Sequence, residues 1–125
     1  MTPIAFVPEL HFETVRSWME ARGEAITLDA LPQTGFIIPG KAAGFLYKTD
    51  SSVAMIEGLV AAPGVEREAR DQAVDAIVQA VITEAQRLGF KTLTGTTVLE
   101  AVVKRAERNG FVYVGGNFHV IIRPL

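Results

Sequence analysis

Val74, Ile77, Val78, Val81, Ile82, Ala85 and Leu88 follow one another in steps of 3, 1, 3, 1, 3 and 3. Such steps return to one face of a 3.6-residue turn, so the run is the apolar stripe of an amphipathic helix. Asp71, Asp75, Gln79, Thr83 and Gln86 take the other side, and Gly89 closes the run. Just upstream, Val53-Ala-Met-Ile-Glu-Gly-Leu-Val60 is the most apolar of the short runs and reads as a central strand buried on both faces. A buried strand feeding a one-sided helix constrains the chain to an α/β domain built around Ser52 to Gly89.

The flanking segments fit that frame. Ile4 to Val7 reads as a short strand closed by Pro8, and Glu9 to Arg22 as a helix. Phe12, Val15, Trp18 and Met19 share one face of that helix. Glu24 to Pro32 suits either a loop or a partial helical turn. From Thr34 the period shortens: Gly35–Ile38, Ala43–Lys48 and Val53–Val60 are split by Pro39-Gly40 and Thr49-Asp-Ser-Ser52, which is turn chemistry between antiparallel strands. Beyond Gly89, Lys91–Thr94 reads as a strand and Val98–Arg108 as a helix. Phe111–Val114, a Gly115-Gly-Asn117 turn and Phe118–Ile122 read as a terminal hairpin. The order is β-α-β-β-β-α-β-α-β-β, a mixed, mostly antiparallel sheet with helices on both faces. The glycines and prolines are spread out rather than gathered into a linker, so residues 1–125 read as one domain.

Composition narrows the function classes. A net charge of −2 leaves no basic footprint for nucleic acid, and arginines alternate with acids in what read as solvated helix faces. Without cysteine there is neither a disulfide scaffold nor a thiolate metal site, and two histidines, His11 and His119, do not make a histidine metal centre. The N-terminal residues lack the basic and apolar regions of a signal peptide, and no apolar stretch is long enough to span a membrane. The expectation is a cytoplasmic protein with no metal.

Three phrases carry a family resemblance: Val60-Ala-Ala-Pro63, Glu84-Ala-Gln-Arg-Leu-Gly-Phe90 and Val102-Val-Lys-Arg-Ala-Glu-Arg-Asn-Gly-Phe111. In their order and spacing they resemble the GNAT superfamily of acyl-CoA-dependent N-acyltransferases, over roughly Thr34 to Leu125. The first resembles a strand ending with a proline that opens the pyrophosphate loop. The second resembles the end of the helix after that loop. The third resembles the last helix, which ends in Gly-Phe. The resemblance implies a GNAT-like fold and acetyl-CoA or another acyl-CoA as donor. The acceptor it implies is an amine on a small molecule or a protein.

The resemblance also places the site. Glu57, the carboxylate that interrupts the apolar strand, matches the family's base for deprotonating an amine. It also suits a solvent-reaching glutamate or a partner of Lys48. Gly58 would mark a strand bulge or simply a packing glycine, and main-chain groups of Leu59, Val60 and Ala61 would line the cleft it opens. Backbone N–H groups between Arg67 and Ala73 would meet the cofactor's pyrophosphate, with Arg67 and Arg70 as cationic ligands and Gln72 where a loop glycine is expected. The loop from Gly64 to Ala73 reads as lengthened, has no glycine after Gly64, and carries Glu66, Glu68 and Asp71. Glycine is what lets backbone approach a phosphate closely. The family's last-helix tyrosine, a general acid, falls at Ala106, and its asparagine at Leu99. Tyr113 or Tyr47 would have to replace the acid.

Two functions follow: an N-acyltransferase, or a catalytically inactive GNAT-like binding or accessory protein that acts through a protein partner or as a homodimer, with the terminal hairpin supplying a strand edge. The small size would suit a phage-encoded protein. A different α/β domain with an imitating strand order is the third reading.

Overall fold

A computed structural model describes residues 1–116 and 119–125. Its elements run β1 (Ile4–Ala5), α1 (Pro8–Ala21), a 3-10 turn (Leu28–Ala30), β2 (Gly35–Ile38), β3 (Ala42–Tyr47), β4 (Val53–Ala61), α2 (Arg67–Arg87), β5 (Thr92–Thr94) and α3 (Glu100–Arg108). The strands make one sheet in the order β1-β2-β3-β4-β5. Neighbours are antiparallel except β4 and β5, which are parallel and joined by the α2 crossover.

α1 and α2 cover opposite faces. Val15, Trp18 and Met19 of α1 pack with Phe6, Ile37, Ala43, Phe45 and Val60. On the other face, Ala73, Val74, Ile77 and Val78 of α2 pack with Ile38 and Ala42, and Val81 and Ala85 pack with Leu46 and Ala54. The stripe read from Val74 onward is therefore the face that α2 turns to the sheet, but the strand buried most completely is β3; in β4 only Ala54 and Val60 are buried and Met55 is exposed. α1 starts with proline at its first helical position, where no N–H is missed. The Val7 N–H just before it donates to His11 Nδ1 at 2.9 Å, which gives His11 a capping role.

Phe45 is fully buried and meets Phe6 edge-on, with ring centroids 4.9 Å apart at 81°. Phe45→Ala is expected to cost about 3–5 kcal/mol, measurable by denaturant unfolding. A loss under about 1 kcal/mol would mean that the α1-side core is not packed this way.

Three further expectations need correction. The terminal hairpin does not form among the described residues: 111–116 and 119–125 carry no strand, and Asn117 and Phe118 lie outside the described residues. A hairpin gains stability from a sheet edge, and β5 offers only three residues of one. Second, the loop after β4 is not lengthened. α2 begins at Arg67, with the Arg70 N–H already donating to the Glu66 carbonyl at 2.8 Å. Third, the polar residues of α2 and α3 are not simply solvated. Arg105 donates to Asp71 at 2.5 Å, Arg108 to both Asp75 oxygens at 2.8 and 2.9 Å, and Gln79 to Asn109 at 2.9 Å.

Candidate functional site

The site grows from a defect in β4. Phe45 is opposite Glu57, but Ala43 is opposite Val60, so Gly58 and Leu59 together face Gly44. That two-against-one count is a β-bulge, and Gly58 adopts φ +68°, the left-handed conformation at which such bulges use glycine. Gly44 must also be glycine, because a Cβ there would sit 2.6 Å from Ile77 Cγ2. The bulge takes backbone off the ladder: the Leu59 carbonyl accepts a hydrogen bond from Arg22 Nη1 at 2.8 Å.

Beside the bulge the sheet opens. β5 pairs with β4 only at Val53–Thr92, Ala54–Leu93 and Met55–Thr94, while β4 runs on from Ile56 to Ala61 without it. Two parallel strands that part in this way leave a wedge between them. A cavity of about 660 Å³ reaches it, bounded by Ile56 and Leu59 of β4, Gly95 and Thr96 after β5, and Val102, Arg105 and Ala106 of α3. Its wall is mainly apolar, as in pockets that take small molecules.

Glu57 follows the last β4–β5 pair by two residues and is opposite Phe45 of β3. It is half-buried, on the sheet face covered by α1, and burial pushes its carboxyl above the usual carboxylate range. The Thr96 hydroxyl acts in the opposite direction, favouring the charged form. Thr96 also borders the cavity. Lys48 is not the partner of Glu57 among the described ion pairs; its charge acts instead on Glu84. Tyr47 lies on the same face. Burial raises its hydroxyl above the ordinary value, the Glu57 charge adds to that, and the hydroxyl reaches the Ala30 carbonyl at 3.4 Å.

The other expected site residues fall in different places. Leu59 borders the cavity, whereas Val60 is buried in the α1-side core and Ala61 pairs with Ala42 at the strand end. Arg67 and Arg70 are exposed in the first turn of α2. Gln72 and Ala73 lie inside the helix, and Ala73 is fully buried, so their amides are committed to helical bonds rather than to a loop. The N–H groups without an intrahelical acceptor are instead those of Arg67, Glu68 and Ala69, and Glu66 makes no side-chain cap. Tyr113 borders the cavity with 60% of its surface exposed. Among the described residues no group of three metal-ligating side chains comes together.

Thr96 and Arg105 were not singled out by the sequence as site residues. The signal for Arg105 was present: Asp71 and Asp75 are four apart on one helix, and Arg105 and Arg108 three apart on the next, which is complementary spacing.

No family model and no curated protein matches the chain by sequence. Solved structures do match by shape. A protein of Agrobacterium tumefaciens str. C58, provisionally named an acetyltransferase, superposes with TM-score 0.74 at 16% identity, over 98% of this chain and 100% of its own. Rv2747 from Mycobacterium tuberculosis, solved in complex with CoA and NLQ, gives TM-score 0.77 at 14% identity, over 96% of this chain and 76% of its own. The Arabidopsis thaliana glucosamine-6-phosphate N-acetyltransferase gives 0.68 at 9% identity, over 98% of both chains. At such identities the likeness carries the architecture alone. In its fold, with an α2 crossover and two parallel strands that part beyond Met55, the chain is similar to these solved acetyltransferase structures.

Proposed function

We propose that the protein is an acyl-CoA-dependent N-acyltransferase acting on an amine of a small molecule or a protein. The observation that supports this reading is the Gly58 bulge next to Glu57, beside an apolar wedge that opens between β4 and β5. The residues fit the donor: the wedge suits an extended apolar arm, and the uncapped first turn of α2 suits a diphosphate at its positive end. Acyl-CoA would supply the activated thioester carbonyl.

Glu57 then takes a proton from the acceptor ammonium, and the freed amine nitrogen bonds to the thioester carbon. The C–S bond breaks, the thiolate leaves with its electron pair, and the proton that the nitrogen sheds as it becomes an amide passes to that thiolate or to water. A raised carboxyl is the stronger base, which suits this task. Ala106 offers no proton to the leaving group. That loss is bearable, because a thiol with a pKa of about 8.5 leaves as thiolate without much help.

A second reading, a GNAT-fold protein that binds without catalysing, is favoured by Glu66, Glu68 and Asp71 around the same helix start, which repel phosphate. A cytoplasmic location accompanies either reading; among the described residues no helix is long and apolar enough to cross a membrane. A homodimer is also part of the proposal, with the exposed Val112, Val114, Ile121 and Ile122 as its apolar surface.

Isothermal titration with acetyl-CoA, followed by acetyl transfer to a panel of amines, separates the readings. Heat with turnover supports the enzyme, and heat without turnover supports the binding protein. No heat at millimolar acetyl-CoA rejects both.

A further inference from the structure

Arg105 is placed unlike the other cations of the chain. It leaves α3 toward α2, with its side chain 23% exposed, and donates through Nη2 to Asp71. Its Nε is buried and donates to no acceptor among the described residues; Asp75 Oδ1 is 4.0 Å away. Asp75 is already taken by Arg108 and Asn109. A guanidinium has five donors in a fixed fork, so Arg105 holds more donor capacity than its surroundings use.

Its position matters as much as its chemistry. Arg105 borders the cavity that enters the β4–β5 wedge. Through Asp71 it is held one turn inside α2, about 6 Å along the axis from Arg67 at 1.5 Å per residue. Arg105 thus links the wall of that cavity to the second turn of α2, next to the turn whose first amides are free. α3 itself has no fully buried residue, and its polar bonds to α2 run through Arg105, Arg108 and Asn109.

We propose that Arg105 is a phosphate ligand for the acyl donor, kept in place by Asp71 until a donor phosphate takes over the guanidinium. The inference rests on the acyl-CoA reading above. An arginine supplied from α3 would offset the acids at the α2 N-terminus, and the fork matches phosphate oxygens two at a time. Asp71 has two effects: it keeps the guanidinium ordered near the site, and it competes with the ligand for it.

The test is titration of acetyl-CoA and of S-acetylpantetheine, which lacks the diphosphate, into the wild type and four variants. Arg105→Gln is expected to weaken acetyl-CoA by about 10- to 100-fold, the range for a lost charged hydrogen-bonding partner, and to leave S-acetylpantetheine unchanged. Arg105→Lys should recover part of the loss. Asp71→Asn should tighten acetyl-CoA several-fold, by removing both the competitor and a like charge. Arg108→Gln breaks the neighbouring α2–α3 pair without touching the proposed site, and should leave both ligands within twofold. Equal losses in Arg105→Gln and Arg108→Gln, for both ligands, would reduce Arg105 to a prop for α3. Weaker acetyl-CoA binding in Asp71→Asn would overturn the exchange. A wild type that binds S-acetylpantetheine but gains nothing from the diphosphate would overturn the proposal while sparing the acyl-donor reading. A wild type that binds neither ligand removes both.

Discussion

Glu57→Gln is expected to lower kcat by about 10²- to 10⁴-fold, the usual worth of a positioned general base, while acetyl-CoA affinity changes little. The separation follows from geometry. The carboxylate sits on the α1-side face of the sheet, whereas the cavity proposed for the donor is bounded by Ile56 and Leu59, so the amide keeps the shape of the wedge and removes only the proton acceptor. An equal fall in donor binding would mean that Glu57 shapes the cleft rather than acting in it.

The same variant carries a stability signature. Burial raises the Glu57 carboxyl, so between the ordinary carboxylate range and the raised value the folded chain holds a proton that the unfolded chain releases. Its contribution to stability is then largest on the acid side and is lost as pH rises through that window. Glu57→Gln removes the dependence. The variant should melt at or slightly above the wild-type temperature at neutral pH, and the difference should vanish toward about pH 3.5. A wild type whose stability rises with pH relative to the variant would contradict a raised Glu57.

Gly58→Val is expected to cost about 2–5 kcal/mol, combining a left-handed backbone that a β-branched residue resists with overpacking against the core. The new Cβ would lie 2.9 Å from Phe45 Cδ2, and Phe45 has no free space to move into. Straightening the strand offers no escape. Losing one residue of bulge would turn every later side chain to the other face, taking Val60 out of the α1-side core. Denaturant unfolding measures the loss, and acetyl-CoA titration of the surviving folded fraction should show weaker binding as the wedge closes. An unchanged unfolding midpoint would show that β4 carries no bulge in solution.

Most of the fold was legible because its signals are local. The α2 stripe, the turns at Pro39-Gly40 and Thr49 to Ser52, and the Gly-Phe ending of α3 depend on residues a few positions apart. They place β2, β3, β4 and α2 to within a residue at most ends, the start of α2 excepted. Glu57 stands out in the sequence for the same reason, as the one carboxylate in an apolar strand. The hairpin expectation rested on two strand-forming runs either side of a Gly115-Gly-Asn117 turn. Phe111 to Val114 has strand-forming residues, yet pairing needs an edge that the three residues of β5 barely provide.

What the chain alone determined is which segments are helices and strands, which faces are apolar, and which carboxylate is out of place. Tertiary structure decided the start of α2 at Arg67, the opening of β4 from β5 after Met55, and the pairing of Arg105 with Asp71, 34 residues away. Periodicity acts over one turn or one strand, and a residue reports it in its own neighbourhood. A wedge between parallel strands, or a guanidinium shared between helices, exists only after α2 has crossed the sheet and brought distant residues together.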